Sequence, residues 1–177
     1  MNAPLLAGRA RVLGDDVNTD YLISSSRKKE SLDPGVLRQY LLEDLDPAFA
    51  ASVQPGDILV AGRNFGCGSA MEVAVTVVLG AGIRAVIAAS FSRTYWRNAI
   101  NNGLLAIVAD TAGIAEGEPL ELHLTGAQPE LRVLSQPPRR IPCEPLPPFM
   151  LAMREAGGLV PYLRRHRTLS HHPRSAP

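Results

Sequence analysis

Residues 62–69 (GRNFGCGS) combine three glycines with a cysteine and a serine, a set that favours a ligand-binding loop. Glycine lets a ligand approach the main chain closely. If a helix begins at Ser69, its first N–H groups have no partners within the helix, and the helix dipole adds partial positive charge there. An anion such as a substrate carboxylate can bind at that position. The alternative is that Ser69 serves only as an N-cap, since serine is preferred there and the lysine of a phosphate-binding loop is absent.

The segments on either side of this loop predict a strand before it and a helix after it. Residues 57–61 (DILVA) form a short apolar run typical of a buried strand. Residues 70–79 predict a largely apolar helix that begins at Ser69, and residues 83–89 (IRAVIAA) predict a second buried strand. A strand–helix–strand unit of this kind favours parallel pairing and a right-handed crossover. The sequence therefore predicts an α/β fold.

The second half of the chain extends this pattern and then changes it. A helix over residues 90–101 and a third apolar strand over residues 104–108 follow the second strand. Residues 118–124 and 130–134 alternate between apolar and polar side chains around Thr125 and Gly126, which predicts an antiparallel pair.

The C-terminal part is rich in proline and ends in polar residues. Residues 136–148 predict an extended surface connection. A last helix is predicted over residues 149–156, capped by Gly157 and Gly158, and residues 166–177 are expected to form a disordered tail. Residues 1–165 would then form a single domain.

The N-terminal part carries two polar segments after a short predicted strand over residues 8–13. Residues 14–20 (GDDVNTD) predict a turn in which aspartate and asparagine side chains bind the main chain. Residues 24–30 (SSSRKKE) combine hydroxyls with three cations, which favours a solvated, mobile loop. Two short helices are predicted beyond it, over residues 36–42 and 47–51.

Composition limits the classes of protein to which this chain can belong. Its 177 residues, 46% of them hydrophobic, suffice to bury the core of one domain. The net charge of +1 gives no electrostatic basis for binding nucleic acid. With two cysteines, Cys67 and Cys143, neither a disulfide framework nor a metal site is predicted. No signal peptide or membrane span is predicted, and a cytoplasmic location is expected.

Four segments, taken together and in order, resemble one protein family over roughly residues 9–165. They are GDDVNTD at residues 14–20, NFGCGSAMEVA at 64–74, AVIAASFSRTYWRNAINNGL at 85–104 and EAGGLVPYL at 155–163. The family is that of the small subunits of 3-isopropylmalate dehydratase, which is related to the swivelling domain of aconitase. The resemblance implies a three-layer β/β/α fold with a mostly parallel central sheet and a small antiparallel section. It also implies a role in leucine biosynthesis.

The resemblance implies hydro-lyase chemistry shared between two subunits. A hydroxy acid loses water and regains it at the neighbouring carbon, and a [4Fe-4S] cluster binds the substrate hydroxyl. The three cysteines that bind the cluster belong to the large subunit, so the cluster is expected on a partner. The family's base is a serine that matches Ser69, and the aspartate that enters its active site matches Asp20. The matching substrate-binding loop positions are Gly66, Cys67, Gly68, Ala70 and Met71.

The loop departs from the family where a substrate carboxylate is usually bound. The family reads NFGCGSSREHA, with an arginine that pairs with that carboxylate, whereas this chain has Ala70 and Met71. Either the substrate lacks that carboxylate, or the cation comes from elsewhere, or the chemistry has been lost. For the second alternative the nearest candidate substrate-binding cations are Arg27 and Lys28, with Lys29 beside them.

Three functions compete at this point. The first is an enzyme subunit that acts with an iron–sulfur large subunit on a small hydroxy acid. The second is a non-catalytic module that stabilises such a large subunit, which the change at Ala70 and Met71 would favour. RNA binding, as in the iron-responsive relatives of aconitase, is the weakest, because that function belongs to four-domain proteins and the charge here is balanced.

Overall fold

In the computed structural model, which describes residues 4–124 and 128–166, the protein consists of a seven-stranded sheet with helices packed on it. The strands are β1 (Leu6–Val12), β2 (Ile58–Ala61), β3 (Ala85–Ala88), β4 (Leu105–Val108), β5 (Pro119–His123), β6 (Glu130–Val133) and β7 (Arg139–Pro142). The helices are α1 (Thr19–Leu22), α2 (Ser25–Glu30), α3 (Pro34–Leu37), α4 (Phe49–Ser52), α5 (Val73–Gly80), α6 (Arg93–Asn101), α7 (Pro148–Ala156) and α8 (Leu159–His166). A 3₁₀ turn, Arg38–Tyr40, follows α3.

The sheet has a parallel part and an antiparallel part that meet at β1. The strand order is β4-β3-β2-β1-β5-β6-β7. Strands β1 to β4 pair in parallel, and β5, β6 and β7 extend the sheet through antiparallel pairs. The predicted parallel strands and the predicted pairing of β5 with β6 are confirmed, although the turn at Thr125 and Gly126 lies outside the described residues.

Two hydrophobic clusters show how the layers are stacked. Alternate side chains of a strand point to opposite faces of a sheet. Leu59 and Val86 pack with α5 and α6 in one cluster. Ile58 and Ile87, on the opposite face, pack in another cluster with residues of β5 and β6 such as Leu122. Since one sheet supplies both walls of that second cluster, it curls over itself, and the mixed α/β fold predicted from the resemblance is confirmed.

Several predicted elements were wrong, and in each case a tertiary contact decided the outcome. Residues 24–30 contain helix α2 rather than an irregular loop. The proline-rich connection contains β7, an edge strand ending at Pro142, where proline does not interrupt the sheet. Helix α8 follows the left-handed Gly157 that ends α7 and buries Tyr162, so α7 is not the last helix. His166 ends α8, and the rest of the predicted tail lies outside the described residues.

The start of β2 is fixed by a buried carboxylate. Asp57 accepts hydrogen bonds from Arg9 (Nε to Oδ1, 3.0 Å), from Arg11 (Nη1 to Oδ2, 3.5 Å) and from the Gln54 N–H (2.9 Å). Burial by itself raises the pKa of Asp57, but these hydrogen bonds and the charge of Arg9 lower the pKa below its ordinary value. Arg11 is itself buried and also pairs with Glu116. The ionised Asp57 therefore stabilises the fold.

Asp57→Asn is expected to lower the free energy of unfolding at pH 7 by about 3 kcal/mol, because it removes the charge that two arginines face. Since the pKa of Asp57 is lower in the folded state, its contribution is complete above about pH 4 and is lost as the pH falls through the folded pKa. Urea unfolding of both proteins at pH 7 and pH 3 measures this. A stability difference that stays constant between the two pH values would contradict the assignment.

Candidate functional site

Three loops meet where the parallel strands β1, β2 and β3 end. They are residues 13–18, 62–72 and 89–92. The carboxyl ends of neighbouring parallel strands share one edge of a sheet, where ligands commonly bind. The main-chain hydrogen bonds that join the loops include Gly66 N–H to Val17 O (2.8 Å), Thr19 N–H to Cys67 O (2.8 Å), Phe65 N–H to Ser90 O (3.0 Å) and Ser92 N–H to Phe65 O (2.9 Å).

Two glycines of the central loop cannot be replaced without strain. Gly66 has φ +76°, and a Cβ atom there would lie 2.2 to 2.6 Å from atoms of the buried Tyr95 side chain. Gly68 has φ +95°, and a Cβ atom there would lie 2.3 Å from Asn18 Oδ1. That same Asn18 oxygen accepts the Asp20 N–H (2.9 Å) and caps α1. The loop is therefore fixed by close packing.

Ser69 lies on the exposed side of this fixed loop. Its carbonyl oxygen accepts a hydrogen bond from Thr19 Oγ1 (2.9 Å), which holds the main chain. Within the described residues, the Ser69 hydroxyl has no hydrogen-bond partner, and the N–H groups of residues 68–72 donate no hydrogen bond. An exposed serine and a run of N–H groups without hydrogen-bond partners thus lie next to each other in the loop, an arrangement that can bind an anion.

The predicted helix start at Ser69 was wrong. Helix α5 begins at Val73, with Glu72 at the N-cap position and no side-chain cap. Ala70 and Met71 are good helix formers, but the contact of Thr19 with the Ser69 carbonyl belongs to a non-helical loop, and tertiary contacts override propensity. Ser69 is therefore not an N-cap, and the alternative that it serves only to cap a helix is also wrong.

Asp20 and Lys28 lie together beside Met71 of this loop. Lys28 Nζ contacts Met71 Sδ, and it lies 3.5 Å from Asp20 Oδ1. The same Asp20 oxygen accepts a hydrogen bond from Ser25 Oγ (3.1 Å). Two elements thus bring these groups to position 71: α1 carries Asp20, and α2 carries Ser25 and Lys28. Because α2 is a helix, this grouping is not apparent from the sequence.

Arg27, the other predicted cation, is engaged elsewhere. Its guanidinium pairs with Glu43 (Nε to Oε1, 2.8 Å) and with Glu30, and it lies 3.9 Å from the centre of the Tyr40 ring. The hydrogen bond with Glu43 is the main reason why the pKa of Arg27 is raised. These contacts anchor α2 to the following segment, and substrate binding by Arg27 stays a prediction.

The remaining loop residues occupy different depths. Gly66 is buried, Gly68 and Ala70 are exposed, and Cys67 is half-buried, with its thiol 3.4 Å from the Asp16 carbonyl oxygen.

The second cysteine, Cys143, is buried in the cluster between the two parts of the sheet, and burial raises its pKa to about 11. An iron–sulfur cluster is held by several cysteine thiolates. The two cysteines of this chain do not fit such a site.

A neighbouring cleft of about 460 Å³ does not contain the candidate base. Its wall includes Ser90, Arg93, Trp96 and Glu144, but not Ser69 or Asp20. Enzyme sites usually bury most of their ligand. Ser69 and Asp20 are therefore not part of the wall of this cleft.

Sequence reasoning missed the residues that position the loop. Thr19 lies in the segment predicted as a polar turn, yet its hydroxyl holds the Ser69 carbonyl. Ser92 caps α6 and also donates to the Gly66 carbonyl (2.6 Å), and Tyr95 fills the space beside that glycine. The signal that the sequence offered was the spacing of the glycines, because glycine adopts positive φ readily and lets other groups approach the main chain closely.

Comparison with known proteins shows which sequences this chain resembles. The family model of the aconitase C-terminal domain matches residues 29–112. The chain is 42% identical to the 3-isopropylmalate dehydratase small subunit of Moorella thermoacetica over 91% of this chain and 96% of that one. It is 39% identical to the methanogen homoaconitase small subunit of Methanocaldococcus jannaschii, over 93% and 95%.

A solved structure extends the likeness to the fold. The crystal structure of 3-isopropylmalate dehydratase from Methanocaldococcus jannaschii superposes with a TM-score of 0.85 at 40% identity, covering 92% of this chain and 95% of that one. Within residues 4–124 and 128–166, no helix is long and apolar enough to cross a membrane. Because it shares this fold and is 42% identical to a relative over 91% of its length, the chain belongs to the family of 3-isopropylmalate dehydratase small subunits, which are aconitase-family hydro-lyases.

Proposed function

We propose that this chain forms, with an iron–sulfur large subunit, an enzyme that dehydrates and rehydrates a small hydroxy acid resembling 3-isopropylmalate. The observation that carries the proposal is the exposed Ser69 on a loop that Gly66 and Gly68 fix in place. A catalytic group must be held in a productive geometry. Main-chain hydrogen bonds hold this loop at the place where three parallel strands end. The names of its relatives support 3-isopropylmalate or a homoaconitase substrate. The cytoplasm is its predicted location.

In this proposal Ser69 moves a proton. Its oxygen, as an alkoxide, takes the proton from the carbon beside a substrate carboxylate and returns it in the reverse direction. The free N–H groups of residues 68–72 stabilise the negative charge that develops on that carboxylate. Each well-placed donor of this kind contributes about 3–4 kcal/mol. Asp20, the second proposed catalytic residue, accepts a hydrogen bond from Ser25 and faces Lys28, which in turn contacts Met71 of the loop.

The cluster belongs to the partner in this proposal. The [4Fe-4S] cluster supplies a Lewis acid for the substrate hydroxyl. This chain has two cysteines in all, and one of them, Cys143, is buried in the core. Substrate would then bind between the exposed loop of this chain and the cluster-bearing face of the large subunit, which accounts for the open position of Ser69.

Purified alone, this chain is expected to bind no cluster and to turn over no substrate, because two separated thiols cannot ligate one. Anaerobic incubation with iron and sulfide, followed by iron analysis and a visible spectrum, measures this. The co-expressed complex with the large subunit is the control and should be brown and active toward 3-isopropylmalate. A stoichiometric cluster on the isolated chain would contradict the division of roles.

One observation favours a second candidate, a module that only stabilises the large subunit. Met71 stands where the family has a carboxylate-binding arginine, and a thioether offers no comparable fork of donors. Such a module would support assembly without contributing a base. The two candidates differ in what removal of the Ser69 hydroxyl does to turnover.

A further inference from the structure

Three cavities join into one groove along α6, beside the sheet edge that carries Ser69. The middle cavity is the cleft of about 460 Å³, which is walled by α6, β4 and the segment after β7. It shares Trp96 and Arg97 with a cavity of about 230 Å³ towards α7 and α8. It shares Val108 and Glu144 with a cavity of about 560 Å³ towards the end of β7. Because these cavities have walls in common, they form a continuous α6 groove, whose extent favours an extended polypeptide segment over one small ligand.

The end of the α6 groove towards α7 and α8 is apolar. Its wall combines Trp96 and Ile100 of α6 with Phe149 and Met150 of α7 and Leu159 of α8. Aromatic residues and methionine are enriched in protein interfaces, and methionine adapts its shape to the side chain that it contacts. This end of the groove can therefore bury an apolar side chain of a partner.

The middle of the α6 groove is cationic. Arg93 and Arg97 lie four residues apart on α6, so they are neighbours on one face of the helix. Both are exposed, and neither makes a hydrogen bond or an ion pair within the part of the chain that the structure describes. Two guanidinium groups without a carboxylate favour one supplied by the occupant. The cavity towards β7 instead carries Asp110 and Glu144, so the groove changes from apolar to cationic to acidic along its length.

The α6 groove is continuous with the candidate active-site edge through Ser90. Ser90 lines the middle cavity and also holds the glycine loop: its Oγ accepts the Asn64 N–H (2.8 Å), and its carbonyl oxygen accepts the Phe65 N–H (3.0 Å). In the proposed function the large subunit covers the edge around Ser69. The same partner therefore extends over the adjoining groove.

The charge of the groove argues against a second occupant, the C-terminal segment of this chain. Residues 167–177 contain two arginines and two histidines but no aspartate or glutamate. Such a segment does not complement Arg93 and Arg97, because like charges placed against each other are destabilising.

We propose that the α6 groove binds an extended segment of the large subunit, with an apolar side chain against Trp96 and Met150 and an acidic side chain between Arg93 and Arg97. The inference rests on the proposed function, because that function supplies the partner. Apolar and acidic contacts on one helix would fix the orientation of the segment. The groove would thereby place the glycine loop against the large subunit.

Arg97→Glu is expected to weaken assembly with the large subunit about 100-fold, because it sets a carboxylate against the acidic side chain of the partner. Arg93→Glu should cause a loss of similar size, whereas Arg97→Lys keeps the charge and should stay within about fivefold of the wild type. Anaerobic biolayer interferometry on the immobilised large subunit measures Kd. Urea unfolding of each isolated chain separates a loss of binding from a loss of folding.

Arg84→Glu is the matched control. Arg84 is exposed and precedes β3, at the opposite edge of the sheet from the groove, so its reversal should leave Kd within about threefold. Equal affinity of Arg97→Glu and Arg84→Glu, in a system where the wild-type complex forms and turns over substrate, would overturn the inference and leave the proposed function intact. A wild-type chain that does not associate with the large subunit would overturn both.

A photo-cross-linking amino acid in place of Met150 identifies the occupant directly. The expected product joins this chain to a large-subunit peptide that carries an acidic residue close to an apolar one. Cross-links in the assembled complex to a second copy of this chain, or to residues 167–177, would show a different occupant and contradict the proposal.

Discussion

Ser69→Ala is expected to reduce kcat of the assembled complex by about 10³-fold, within the range by which a positioned general base accelerates a reaction. The structure gives a reason why this loss should be confined to chemistry. The loop is held through the Ser69 carbonyl, and the hydroxyl makes no hydrogen bond within the described residues. Alanine keeps that carbonyl and the adjacent N–H groups. Steady-state turnover of 3-isopropylmalate, with complex formation measured by gel filtration, tests the expectation.

The matched control removes a hydroxyl from an exposed position outside the site, as in Thr94→Ala on α6. It should leave both turnover and assembly unchanged. If Ser69→Ala retained near-normal kcat, Ser69 would have no part in proton transfer. The stabilising module would then be the better account of this chain, since assembly without a base is what that function requires.

Gly66→Ala is expected to have the second-largest effect, by deforming the loop that carries Ser69. Gly66 has φ +76°, and the added methyl would meet Tyr95 side-chain atoms at 2.2 to 2.6 Å. Tyr95 is buried and packs edge-on against Phe65, so it cannot move aside freely. Left-handed backbone strain and overpacking together predict a loss of about 3 kcal/mol in the free energy of unfolding.

Turnover should fall with stability in this variant, because a displacement of about 1 Å at a catalytic group can cost about 100-fold in rate. Urea unfolding of the chain and kcat of the complex are the two measurements. Gly14→Ala is the control, since a Cβ atom at Gly14 would meet no atom within 4 Å. Equal stability of the two alanine variants would show that the loop accommodates the methyl and is less tightly fixed than its contacts indicate.

The sequence by itself determined the parallel strands, the glycine loop between them and the family. Residues 58–61 and 85–88 are apolar throughout because both faces of those strands are buried. A run of this kind identifies a buried strand without any knowledge of the strands that pair with it. Gly66 and Gly68 mark a backbone that only glycine adopts easily, which is also a local property. The motif around Ser69 is also a local property of the sequence, and so its place in the chain could be predicted.

Only the tertiary structure decided the start of α5 and the presence of α2. Each depends on partners far away in sequence: Thr19 holds the Ser69 carbonyl, and Glu43 holds Arg27. Edge strand β7 and helix α8 likewise exist because β6 and α6 offer them surfaces. Local composition determines which conformations of a segment are low in free energy. A contact with a residue distant in sequence then selects among them, and that contact forms only in the folded chain.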